Sequence, residues 1–191
     1  MQRRLVEVAF HAFKTRGYNA SAVHDLRRDA NVTGGAFSHH FPTKKALGLA
    51  VLNNRVAAAV EEAWIKPLLS SPTTADGVQT VLAAIIRELR EQGSISGCPL
   101  NNLALELSGH DADMREAVDV IFKRWQQAVA EKIRADQTIG RLCRLDPETG
   151  ATFVVAAYSG AMTMAKAAQS TAPLERCADQ LATYLAEPAG S

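Results

Sequence analysis

Cysteine is scarce in this 191-residue chain: there are three, an odd number, with no C-x-x-C and no Cys/His spacing suited to a ligand set. That argues against a disulfide framework and a structural zinc site, and neither metal nor cofactor is expected. There is no run of eighteen apolar residues, so no membrane-spanning helix is expected. Met1-Gln-Arg-Arg4 carries no signal-peptide pattern, and the expected location is cytoplasmic. Sustained strand alternation is missing too, as are internal repeats and low-complexity segments. No Ser/His/Asp order, paired-carboxylate setting or phosphate-binding glycine loop stands out, so enzymatic chemistry is not expected.

What remains is helix throughout. Leu5, Val8, Ala9, Ala12 and Phe13 follow the spacing of an amphipathic helix that Gly17 ends. Two short helices come next. Ser21 is placed to cap the first, Asp25 lies in its first turn, and Val23, Leu26 and Ala30 form its apolar stripe. Asn31 stands at the turn, where a left-handed residue is needed. Thr33 is placed to cap the second helix, Phe37 and Phe41 share one face, and Pro42 stops it. Ser38, His39 and His40 are left pointing elsewhere.

Two short helices around a tight turn are the geometry that reads duplex DNA, the second lying in the major groove. Charge agrees: residues 1–48 carry eight Lys or Arg against three acids, a net +5, leaving −4 for the rest of a chain that is +1 in all. Four of the five histidines lie there as well. A basic end on a faintly acidic body suits phosphate contact with counterion release.

Gly17-Tyr18, Ser21, Gly35-Ala36-Phe37, His40-Phe41 and Lys44, in that order and spacing, resemble the N-terminal domain of TetR-family transcriptional regulators over residues 3–52. The resemblance implies an all-α fold, with a three-helix DNA-binding domain at 1–45 and a helical ligand-binding and dimerisation domain at 46–191. Carried over by position, it implies that His24, Thr33, Gly34, Ala36, Ser38 and His39 face the groove and that His40 and Lys44 hold phosphates. Two departures are visible. Many members have Tyr where this chain has Ser38, and Lys, Pro or Arg where it has Gly34. Arg27 stands where a small residue often packs, so it either alters the spacing of the two helices or runs outwards to a phosphate.

The body reads as a helix from about Thr43 to Trp64, ended by Lys66-Pro67 and Ser70-Ser-Pro-Thr-Thr74, then a helix through Val78 to Leu89 closing at Gly93. A short helix carries Leu100, Leu103, Leu105 and Leu107, and a long one starts at Asp111. The last two are expected at Ala151 to Ala168 and from near Pro173, burying Leu174, Ala178, Leu181 and Leu185. Ala156, Ser159, Gly160 and Thr163 lie along one side of the former, permitting close approach by a second copy or packing inside one chain. A homodimer would present two recognition helices about 34–36 Å apart to a near-palindromic operator.

The trigger is open to more than one reading. Cys98 sits before a helix start, where the dipole favours a thiolate; it is either a sensor of electrophiles, or a small buried residue as free Cys commonly is. Its surroundings, with Gly160 to Lys166 and Pro173-Leu-Glu175, resemble the electrophile-responsive subgroup of the same family; if Lys166 approaches Cys98 in the fold, its charge lowers the thiol pKa further. Cys143 and Cys177 have no such setting. Phe122 and Trp125 line either an inducer cavity or plain core, and Asn101, Asn102, Glu106 and His110 either meet an inducer, cap helices or face water. The expected partners are thus operator DNA, a small-molecule or electrophilic inducer and a second copy. The alternatives are a thiol-dependent helical enzyme and a scaffold binding only protein.

Overall fold

Apolar residues at helical spacing, punctuated by Gly and by Thr or Asp caps, produce nine helices in the computed structural model, which describes residues 1–109, 111–141 and 145–186. They are α1 (Gln2–Arg16), α2 (Val23–Asp29), α3 (Gly34–His40), α4 (44–70), α5 (Thr74–Gln92), α6 (Pro99–Leu107), α7 (Ala112–Thr138), α8 (Pro147–Ala168) and α9 (Ala172–Ala186). No strand occurs among the described residues. His110 and Cys143 lie outside them.

Most caps follow from the residues at the ends. Thr33, Thr43, Thr73 and Asp146 each accept a backbone N–H from the first turn of the helix they precede. Asp111 Oδ1 does the same for α7, accepting from Met114 at 3.1 Å. Gly17 at φ 90°, Gly93 at φ 69° and Asn31 at φ 52° take the positive-φ conformations that end α1, end α5 and make the α2–α3 turn.

Three expectations are corrected, and the exposure of Leu105 is added to them. Ser21 does not cap α2; Ala22 stands at that position, and the buried Ser21 hydroxyl donates to the Gly17 carbonyl at 2.7 Å, bracing the turn instead. Val6 is buried in α1 while Val8 is only half-buried, so the apolar stripe runs through Val6. Leu105 does not join Leu100, Leu103 and Leu107 in the core; it is 81% exposed because α6 buries only one face. The helix expected to stop near Trp64 continues to Ser70. Two π-helical turns, Leu52–Val56 and Glu61–Ile65, widen α4, and Pro67 stands two residues past the end of the second. There the Lys66 N–H bonds to Glu61 five residues back, so proline enters as a new α-helical register begins, where its missing N–H costs least.

The chain forms two compact units. One comprises residues 1–59 and 98–121, so α6 and the start of α7 pack with the N-terminal head. In it α1 packs on α2, α4 and α6, over a core of Leu5, Ala9, Phe13, Leu26, Phe37, Phe41 and Leu47. The other comprises 60–97 and 122–191. Here α9 lies against α5 and α8, and Trp64, Trp125 and Tyr158 meet with ring centroids 4.8–5.6 Å apart. Asp136, buried, accepts the Thr74 N–H at 2.6 Å and anchors the start of α5. The Gln169 side chain brackets Ile95, accepting its N–H and donating to its carbonyl, both at 3.0 Å.

Candidate nucleic-acid interface

Helix α3 has one buried and one open face, and its sequence explains which is which. Phe37 and Phe41 point inwards, their rings 6.4 Å apart, and both are under 5% exposed. That turns Gly35, Ser38 and His39 to solvent, with Ala36 half-buried beside them. The Thr33 hydroxyl accepts the Ala36 N–H at 3.3 Å and holds the first turn. A convex edge of small and hydrogen-bonding side chains results, free of carboxylates, as approach to a duplex requires.

The remaining candidates surround this edge. His24 is exposed on α2, its Nδ1 3.6 Å from Asp25 Oδ1. Gly34 opens α3, and the guanidinium of Arg27 lies against it. His40 is half-buried, its ring edge-to-face with that of His39 at 5.2 Å. Lys44 donates to the Asn19 carbonyl at 3.4 Å and stands 4.4 Å over the Tyr18 ring. Burial there, offset by the Glu106 charge, holds its pKa below the usual lysine value.

Sequence reasoning did not single out what braces that cluster. Glu106 of α6 accepts the Tyr18 N–H at 2.8 Å and the Asn19 N–H at 2.5 Å, so its carboxylate grips the α1–α2 turn. Of the roles expected for Glu106, contact with an inducer, capping of its own helix or facing water, none describes this one. Lys45 bridges Asp111 at 2.8 Å and Asp113 at 2.6 Å. The only sequence signals were an acid on a short apolar helix and an acid pair at a helix start, and neither names a partner.

The sensor candidates fall in both units. Cys98 is buried at the start of α6, in the first unit, followed by Pro99 in the first turn. Lys166, in the second unit, is exposed near the end of α8. Trp125 is fully buried and Phe122 half-buried, their rings stacked at 6.4 Å. The indole N–H groups of Trp125 and Trp64 are buried without a hydrogen-bond partner. Cys177 is half-buried, and burial pushes its thiol pKa up, away from the thiolate. On α8 the small-residue side is open: Ala156, Gly160 and Thr163 are exposed together with Phe153 and Met164.

Comparison with known proteins bears on both parts of the chain. Residues 5–51 match the model of bacterial regulatory proteins of the tetR family, and residues 74–180 match the C-terminal domain of LmrA/YxaF-like transcriptional regulators. The chain is 30% identical to the HTH-type transcriptional repressor DhaR of Mycobacterium sp. strain GP1, with 92% of this chain and 87% of that one covered. It is 28% identical to the repressor NemR of Escherichia coli K12, with 91% and 88% covered. A solved TetR transcriptional regulator from Chloroflexus aurantiacus superposes with a TM-score of 0.86 at 25% identity, covering 98% and 94% of the two chains.

Proposed function

The chain belongs to the TetR family of bacterial transcriptional regulators, and from that premise we propose that it represses transcription as a homodimer on a near-palindromic operator. It is a DNA-binding regulator, and the enzyme and protein-only scaffold readings fall away with that membership. In this reading residues 1–45 serve DNA binding and 46–191 serve ligand and partner binding, while residues 46–59 and 98–121 pack with the head. The cytoplasm is its place of work, and among the described residues no helix is long and apolar enough to cross a membrane.

The open edge of α3 supports this reading best. Ser38 and His39, exposed above a pinned Phe37 and Phe41, with Gly34, Ala36 and Thr33 at the helix start and His24 alongside, meet base edges; His40 and Lys44 meet phosphates. Lys44 exchanges its internal carbonyl for a phosphate on binding. The exposed Phe153, Ala156, Gly160, Thr163 and Met164 of α8 form the self-complementary face. A mobility shift with upstream genomic duplex at several salt concentrations tests the assignment. Affinity falling linearly in log–log form with salt supports it, and salt-insensitive or absent binding refutes it.

Release follows from a ligand that binds one spacing of the paired heads better than another, shifting the population. NemR and DhaR are named as repressors, and the trigger here is either a small apolar molecule at Phe122 and Trp125 or modification of Cys98. Cys98→Ser separates the two. A variant that binds DNA but ignores electrophiles assigns Cys98, and equal release of variant and wild type assigns the apolar route.

A further inference from the structure

Helix α3 contains no lysine or arginine: it reads Gly-Gly-Ala-Phe-Ser-His-His, and its first two residues have no side chains to offer. The space that a side chain at position 34 would fill is taken from outside the helix. An ideal Cβ on Gly34 would fall 2.9 Å from Nη2, 3.1 Å from Cζ and 3.2 Å from Nη1 of Arg27. The guanidinium of α2 therefore lies flat against the opening turn of α3. At Gly35 the corresponding position is empty, with no atom within 4 Å.

This guanidinium also lacks a counter-charge. The two carboxylates of α2 are committed elsewhere, Asp25 to Arg28 at 2.9 Å and Asp29 to Arg28 at 3.1 Å and Arg16 at 3.5 Å. Arg27 is half-buried, and its Nε is buried with no acceptor. Taking a cation partly out of water without hydrogen-bond acceptors is unfavourable, and a planar group with five donors is normally matched by a planar acceptor pair. Nothing among the described residues supplies that pair, although its neighbour Arg28 has two carboxylates.

We propose that Arg27 reads a guanine base edge through the opening of α3, with its guanidinium standing in for a side chain that Gly34 does not have. The proposal rests on the operator-binding reading above. The chemistry is the bidentate match of an arginine fork to guanine N7 and O6 in the major groove. Glycine at 34 is then required for two reasons: a larger residue would displace the fork, and a bare backbone lets the duplex come close. A guanidinium held between two helices is better suited to one fixed base pair than to a mobile phosphate, because a fork pinned by packing presents its donors in one plane.

The test is selection from a pool of randomised duplexes by the full-length chain, wild type against Arg27→Ala, Arg27→Lys and the double variant Arg27→Ala/Gly34→Arg. Wild type should enrich a site with an invariant G·C pair in each half. Arg27→Ala should lose preference at that pair alone, binding the wild-type site roughly 5- to 150-fold more weakly. Arg27→Lys keeps stem and charge but not the fork, so it should lose the same preference. The double variant returns the guanidinium from α3 and should recover it. If Arg27→Lys selects the wild-type site unchanged, or the variants weaken every duplex uniformly, the base-reading role is overturned. A wild-type chain with no salt-dependent binding to any duplex overturns the operator reading, and this one with it.

Discussion

Glu106 and Tyr18 are 88 residues apart in sequence, yet the carboxylate of one accepts the backbone N–H of the other at 2.8 Å. The second oxygen takes the next N–H, that of Asn19, so one acid on α6 holds the turn that carries α2 and the Lys44 perch. Loss of a charged acceptor leaves those N–H groups to find water in a half-buried site. Glu106→Ala should cost about 1.5–3 kcal/mol in urea unfolding, and Glu106→Gln less, since the amide keeps one acceptor oxygen. Equal stability of all three chains would show that water replaces the carboxylate without cost.

Gly48 on α4 leaves room for two side chains. A Cβ there would come within 2.6 Å of Met114 Cε and 2.8 Å of Tyr18 Cε2. Alanine gains about 1 kcal/mol of helix propensity over glycine, but overpacking costs about 1–3 kcal/mol, and the Tyr18 ring yields less readily than a methionine tip. Gly48→Ala should therefore destabilise. The penalty should shrink when Met114→Ala is added, and a double-mutant cycle by denaturant unfolding measures that coupling.

Asp111 links Lys45 to the start of α7. Its carboxyl is held below the usual carboxylate range, first by the hydrogen bond from Lys45 and next by the Met114 N–H. A depressed folded-state pKa means stabilisation that is complete above the unfolded value and is lost as pH falls through the folded one. Unfolding midpoints followed downwards from about pH 6 should show this acid limb in wild type. It should be smaller in Asp111→Asn, which keeps the cap but cannot titrate.

Trp125 and Trp64 bury indole N–H groups that have no partner. Replacing an orphaned donor by an apolar ring of similar shape removes a desolvation penalty, whereas truncation leaves a cavity. Trp125→Phe, which removes the orphaned donor but leaves a smaller cavity, should cost clearly less than Trp125→Ala, for which about 3–5 kcal/mol is expected, both read by thermal or urea unfolding. A Phe variant as damaging as the Ala variant would point to a partner for the indole nitrogen.

Thr33 holds the first turn of α3 through a single bond to Ala36. Thr33→Ala should cost about 0.5–2 kcal/mol and weaken DNA binding, because a frayed first turn no longer presents its edge. Unchanged affinity at lowered stability would show that the duplex itself orders the helix.

Features whose causes lie within a turn or two of chain were legible in the residues alone. Helical periodicity, the left-handed Asn31, the glycine stops, the Thr33 cap and the Phe37–Phe41 face each depend on neighbours three or four positions away, and each stands where the pattern puts it. The open edge of α3 was legible for the same reason: two aromatics on one side leave the others outside. The exceptions were positions where a second local bond, or the presence or absence of a packing neighbour, decided against the simplest pattern. Ser21 turned from capping to bracing Gly17, Leu105 faced solvent because among the described residues no element covers that side of α6, and α4 ran past Trp64 and carried Pro67 by widening its turns.

The amino-acid order alone thus specified an all-helical chain with a cationic reading head, because helix propensity, caps and charge are summed over short stretches. Which acid clasps which turn, and which arginine covers which glycine, followed only from packing. Glu106 meets Tyr18, and Arg27 meets Gly34, because whole helix faces close on one another to bury their apolar sides; polar groups carried along must then find partners at distances in sequence that no local pattern encodes.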